Sequence, residues 1–271
     1  KKNIHVKSVK GYNLPKTADS NSLIITTSVS GETQETLEIL KKAVKTNSKV
    51  IAFSSGGSMK EFCDNNKIFF QKIPMTHSPR GSFVKFLFSI LNILKDVLSI
   101  EENDIEEAIL DLEKTREKIS SKNLSEDNVA LKLAKWMKDT PLIYYPSGLE
   151  SAATRFKNSL QENSKKHVIT EEILESCHNG IVAWEKKSNA QPIFIRGTDD
   201  HVKTIERWNI LKEFFKQEKI EFLEITSING NIISKIVNLI YLLDYSSIYH
   251  SILKKIDPSP VRSIDFVKAK L

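Results

Sequence analysis

Short, β-branched apolar runs alternate with amphipathic stretches of helical period along most of this chain, and few folds accept that rhythm. In the first third, residues 3–9 (NIHVKSV), 22–28 (SLIITTS), 49–55 (KVIAFSS) and 67–73 (KIFFQKI) predict strands. Between them, residues 33–46 place Leu37, Leu40, Ala43 and Val44 on one helical face, and residues 58–66 form a shorter helix. Strands that recur with a helix between each pair are the units of a parallel sheet.

A helical block follows, over 83–100, 103–120 and 127–140, with too little Gly or Pro to be a flexible linker. The rhythm then resumes. Strands are expected at 141–146, 192–197 and 221–227, and helices at 148–167, 170–179, 202–219, 231–253 and 261–270. The 231–253 helix is apolar on too many faces for a surface helix, so a core or a subunit interface should bury it. The expectation is an α/β protein of two domains, parallel sheets flanked by helices and joined by a helical bridge. The first domain with the bridge is assigned to 1–125, and the second with the C-terminal helix to 126–271.

The 40 Lys and Arg against 34 Asp and Glu leave a formal net charge of +6, but the two signs interleave along the helices. Interleaved charge is a solvated surface, so no nucleic-acid partner is expected, and an anionic small substrate suits the surplus. Cys63 and Cys177 form no CxxC pair, and the six histidines are scattered. These features predict a reducing compartment, no disulfide framework and no metal site. With no signal-peptide core and no membrane-length apolar run, the expected location is the cytoplasm.

Three segments carry candidate chemistry. In SVSGETQET, a strand ends near Ser28 and Ser30, Gly31 permits a tight turn, and Thr33 opens a helix. Hydroxyls at a helix N-terminus suit a phosphate, and they equally suit a plain N-cap. In SPRGSF, Arg80 stands on a rigid loop ahead of an apolar helix, where a guanidinium can stabilise developing negative charge or simply face solvent. Glu162 and His178, sixteen residues apart, offer a carboxylate base for moving a proton between adjacent sugar carbons and an imidazole acid for opening a sugar ring. Taken singly, each is also an ordinary helix residue. Cys177 suits a small buried hydrophobe.

Taken together and in order, these segments resemble the bifunctional phosphoglucose/phosphomannose isomerases. SVSGETQETLEIL is similar to the serine-rich turn of a sugar-isomerase (SIS) domain, KVIAFSSGGSMKEFC to the following strand and glycine turn, and SPRGSFVKFLFSILNIL to the Pro-Arg helix start. AATRFKNSLQENSKKHV with ESCHNGIVAWE resembles the family's Glu-Asn helix followed by His-Asn. The resemblance implies reversible isomerisation of glucose 6-phosphate or mannose 6-phosphate to fructose 6-phosphate through a cis-enediolate, without cofactor or metal. It implies Ser28, Ser30 and Thr33 as phosphate ligands and Arg80 as the enediolate stabiliser. Glu162 becomes the proton shuttle, with His178 and Lys268 in ring opening and Ser259 near the selectivity position; Lys270 is the alternative lysine. It also implies a homodimer with shared active sites.

Two departures stand out. The family's glycine-rich opening unit is missing upstream of Ser28, which marks the chain as an N-terminally incomplete copy, and Glu32 stands where a neutral Asn is expected. A non-catalytic sugar-phosphate-binding regulator would retain the serine turn without needing Arg80, Glu162 and His178 together. A zinc-dependent mannose-phosphate isomerase of the β-barrel type would need a ligand cluster in an all-β chain, which this sequence lacks.

Overall fold

The computed structural model describes residues 4–270 and divides after Glu101 into two compact units. The first contains β1 (Leu23–Ser28), α1 (Gln34–Ala43), β2 (Lys49–Ser54), α2 (Gly57–Asn65), β3 (Phe69–Lys72) and α3 (Phe83–Leu98). The second contains α4 (Glu102–Ile119), α5 (Val129–Trp136), β4 (Thr140–Tyr145), α6 (Glu150–Ser164), β5 (Ile169–Glu172), α7 (Ile173–Ser176), β6 (Ala190–Arg196), α8 (Val202–Gln217), β7 (Leu223–Thr226), α9 (Ile232–Leu253) and α10 (Arg262–Lys268).

Both sheets are parallel, in the orders β1-β2-β3 and β5-β4-β6-β7, as the βα rhythm requires. In the first unit, Leu40, Met59 and Cys63 pack on Ala52 from one face, while Phe53, Ile73 and Phe86 form a second cluster. Burial pushes the Cys63 thiol up to about 11, so it behaves as a small apolar group. In the second unit, Tyr144, Phe194, Trp208 and Phe215 are buried together, each contributing about 1.5–3 kcal/mol by leaving water. Trp184 Nε1 donates to Tyr144 Oη at 2.9 Å and Trp208 Nε1 to Asp200 at 3.0 Å, so neither indole N–H is stranded. Cys177 packs at the edge of this cluster, half-buried where the sequence reading expected a buried residue.

Three segments differ from expectation. Residues 4–9 form no strand, and Ile4, Val6 and Val9 are exposed. Asn3 lies outside the described residues. The helix expected over 170–179 is instead β5 followed by one helical turn, because pairing of Leu142 with Ile169 through Tyr145 with Glu172 outweighs the helix propensity of its glutamates. The C-terminal helix is shorter, Arg262–Lys268. The bridging helices α4 and α5 pack on α9 and lie in the second compact unit, which begins at Glu102.

Burial of α9 explains why these two helices join the second unit. Its 22 residues include Val237, Leu239, Ile240, Leu243 and Tyr249 in the interior, with α4, α5 and α6 around it. Of the two fates expected for this helix, the core is the one observed, although Ile248, Ile252 and Leu253 at its end stay exposed. Polar groups set its pairing with α6. Arg155 donates to both oxygens of Asp244 at 2.8–3.2 Å, Ser159 donates to the same carboxylate at 2.5 Å, and Asn163 donates to Ser247 at 2.8 Å. Removing this carboxylate takes charge-assisted bonds from a half-buried site. Asp244→Ala should lower unfolding stability by about 2–3 kcal/mol in urea melts, while substitution of the exposed Glu213 should change it by less than about 0.5 kcal/mol.

Candidate active site

The serine turn forms where β1 ends. Ser28 is buried; its Oγ accepts from Gly31 N at 3.1 Å and shares a 2.8 Å hydrogen bond with Thr33 Oγ1. Ser30 Oγ, exposed, accepts from Glu32 N at 3.2 Å. Thr33 occupies the N-cap of α1, but its hydroxyl turns back to Ser28 and makes no cap bond. The three predicted hydroxyl residues therefore do converge on one turn at the carboxyl edge of the sheet, the end at which α/β proteins bind ligands.

That turn is interlocked with the next one. Gly31 has φ +81, and a Cβ there would stand 1.9 Å from the Gly56 carbonyl oxygen, so only glycine fits. Ser55 N donates to Val29 O at 3.0 Å and Met59 N to Gly31 O at 3.1 Å. Glu32 completes the lock: its carboxylate accepts from Ser58 N at 2.8 Å and Ser58 Oγ at 2.7 Å, at the start of α2. These bonds, the side-chain one first, hold the Glu32 carboxyl below the usual range, so it is an anion at neutral pH. The negative charge that sets this turn apart from the family pattern is thus directed at a helix N-terminus.

Arg80 begins a short 3₁₀ turn after β3, half-buried. Buried Ser82 staples its loop, accepting from Thr76 N at 2.9 Å and donating to Ser78 O at 3.0 Å. This is the rigidity expected of the Pro-Arg-Gly segment.

In the second unit, Glu162 lies on the last turn of α6, half-buried, one residue before Asn163 in the bonded seam with α9. His178 follows α7 and is exposed. Its turn is held by Glu172, whose side chain accepts from Leu174 N at 2.8 Å and Glu175 N at 3.0 Å, and by Asn179, which donates to Glu175 at 2.7 Å. Glu171 backs the same turn; burial raises its carboxyl pKa, and one of its oxygens would lie 2.5 Å from a Cβ at Gly180. Ser259 is exposed between two prolines, its N–H donating to Asp257 at 2.8 Å. Lys268 ends the exposed α10, and Lys270 lies 5.7 Å over the Phe266 ring.

Sequence reasoning missed Ser58, Ser82, Glu172 and Asp244. A Ser such as Ser58 or an Asp such as Asp244, bonded across 26 or 85 residues, leaves no local pattern, whereas Glu172 before a helical turn carries the spacing of a side-chain N-cap. Among the described residues, no group of three His, Cys, Asp or Glu is placed to hold a metal ion, and no helix is long and apolar enough to cross a membrane.

The family model for the bacterial phospho-glucose isomerase C-terminal SIS domain matches residues 126–271. A bifunctional phosphoglucose/phosphomannose isomerase of Caldicellulosiruptor bescii is 34% identical, across 97% of this chain and 80% of that protein. A protein of the same description from Aquifex aeolicus is 24% identical with the same coverage. Among solved structures, tagatose-6-phosphate ketose/aldose isomerase from Escherichia coli shares the fold, with a TM-score of 0.68 at 11% identity over 90% of this chain and 73% of that one.

The geometry around Glu32 generates a test. A fixed carboxylate beside the serine turn repels any dianion bound there, so Glu32→Gln, which keeps an acceptor for Ser58, should tighten binding of inorganic phosphate about fivefold at low salt. Titration calorimetry on the two proteins measures this. Unchanged or weaker binding in the variant would place the anion elsewhere.

Proposed function

The chain belongs to the bifunctional phosphoglucose/phosphomannose isomerase family, and from that premise we propose that it interconverts glucose 6-phosphate or mannose 6-phosphate with fructose 6-phosphate. Identity of 34% across nearly the whole chain carries this reading, because it spans both the serine turn and the Glu162 helix. The roles follow from the chemistry of each group. Ser28, Ser30 and Thr33 hold the substrate phosphate at the N-terminus of α1. His178, with Lys268, takes the O1 proton and protonates the ring oxygen as the bond between C1 and that oxygen breaks.

Glu162 then removes the C2 proton of the open-chain aldose. The electron pair forms the C1–C2 double bond of a cis-enediolate, whose negative charge Arg80 stabilises. Transfer of the O2 proton to O1 and return of the proton from Glu162 to C1, as the C2 carbonyl forms, give the ketose; the reverse sequence regenerates the aldose. Anchoring α6 to α9 favours this assignment for Glu162, since a base must hold its position to within a fraction of an ångström as the proton transfers. Ser259 faces the choice between the two aldoses.

The active unit in this reading is a homodimer in which His178 of one subunit serves Glu162 of the other. Exposure of His178 in the single chain supports it, as do the apolar side chains of Ile248, Ile252 and Leu253 left in solvent at the end of α9. A regulatory sugar-phosphate sensor has no use for an anchored Glu162, and no observation favours it.

Glu162→Gln keeps size and hydrogen bonding but removes the base. It should reduce turnover roughly a thousandfold in a coupled assay of fructose 6-phosphate formation, with sugar-phosphate affinity in calorimetry nearly intact. Near-normal turnover would favour the sensor. His178→Ala should also be strongly impaired, most of all on the cyclic substrate. If sites are shared, mixing the two inactive variants under conditions that exchange subunits should restore activity to about a quarter of wild type, since one site in two is intact in half of the molecules. A mixture that stays inactive after exchange, shown with differently tagged chains, would mean that each site is built from one subunit.

A further inference from the structure

Lys165 has no part in the chemistry proposed above. It follows the last residue of α6 in the left-handed conformation, with φ +54, and its side chain is exposed. Its ammonium nevertheless has three protein carbonyls around it. It donates to Glu162 O within its own helix end, and across 95 residues to Pro260 O at 2.8 Å, with Pro258 O at 3.5 Å. An ammonium has three donors, and three carbonyls lie within their reach.

The two distant carbonyls flank Ser259. Asp257 Oδ1 accepts from Ser259 N at 2.8 Å, and the Ser259 bonds, with a smaller contribution from the Lys165 charge, hold the Asp257 carboxyl below its usual range. Pro258 and Pro260 each fix a φ angle, so the backbone on both sides of Ser259 has little freedom left once its carbonyls are bound. Only Val261 separates this stretch from α10, whose residues are all exposed. A segment with so little buried surface keeps its place through specific polar ties.

From this convergence we infer that Lys165 is a positioning and specificity-determining residue, which clamps the 257–260 stretch to the end of the helix that carries Glu162. The inference rests on the isomerase reading for its consequence, though not for the clamp itself. Through one ammonium, the clamp sets the place of Ser259 relative to Glu162, two residues that the sequence separates by 97 positions, and it sets the origin of the helix that delivers Lys268. Loss of the ammonium loosens both. Proton transfer then proceeds from a less ordered complex, and discrimination at C2, where the two aldoses differ, weakens. A neutral residue cannot substitute, but a guanidinium reaches the same carbonyls with more donors.

The test uses the full chain with Lys165→Asn and Lys165→Arg. Asparagine tolerates the left-handed backbone but is too short and carries no charge. Two measurements are made. Hydrogen exchange of the amides from Ser259 to Asp265 reads the clamp without reference to activity. Steady-state kinetics on glucose 6-phosphate and mannose 6-phosphate read its consequence.

For Lys165→Asn we expect at least tenfold faster exchange across that segment with α6 unchanged, kcat/KM lowered about tenfold chiefly through kcat, and the ratio of kcat/KM for the two aldoses shifted at least threefold. Lys165→Arg should restore all three to within about threefold of wild type. Unchanged exchange in the Asn variant overturns the clamp. Faster exchange with unaltered kinetics and an unaltered ratio overturns its positioning role. Absence of turnover in the wild-type chain would count against the isomerase reading alone, because exchange still decides whether Lys165 holds the segment.

Discussion

One seam sets the geometry of the second unit: the polar contact of α6 with α9. Two helices that meet only through apolar side chains can rotate against each other at small cost, because dispersion and burial have little directional preference. Arg155, Ser159 and Asn163 recur every fourth residue along α6, and they meet Asp244 and Ser247 on α9. A guanidinium held by both oxygens of a carboxylate is geometrically exacting, so the seam fixes the rotation of α6 as well as its distance. Glu162 inherits its direction from that rotation. The long apolar helix therefore does more than fill the core, since its few polar positions index the helix beside it.

The first unit solves a related problem with different means. Its serine turn sits at the carboxyl edge of a small parallel sheet, where backbone N–H groups and hydroxyls already favour an anion. Close approach of the β1–α1 turn to the β2–α2 turn demands Gly31, and the Glu32 carboxylate then ties the two turns through Ser58. The carboxylate occupies a helix N-terminus, which stabilises it as an ion while leaving its charge close to the hydroxyl turn. In the proposed function, structural order and anion affinity are set against each other at this residue.

Both units carry their candidate site residues on short, rigid connections. The loop of Arg80 is closed by a buried serine, the turn of His178 by a glutamate cap, and the stretch around Ser259 by two prolines and a lysine. Each tie is a polar contact worth on the order of 1 kcal/mol, small beside the aromatic core of Tyr144, Phe194, Trp208 and Phe215. The core supplies stability, and these ties supply position.

Periodicity in the sequence was enough to determine the α/β class, the parallel sheets and most of the strands, because alternation of apolar runs with amphipathic helices has few packed solutions. The turn at Ser28 to Thr33 and the Glu162 helix were legible as motifs, since their parts are adjacent in the chain. Tertiary structure alone decided that residues 169–172 join β4 as a strand, that residues 4–9 do not form one, and that α4 and α5 belong with α9. It alone brought Glu32 to Ser58, Asp244 to Arg155, and Lys165 to the carbonyls beside Ser259. The physical reason is common to all of them. Secondary structure follows from interactions a few residues apart, while strand partners and long-range polar ties depend on which surfaces the fold makes neighbours, and no local pattern records that.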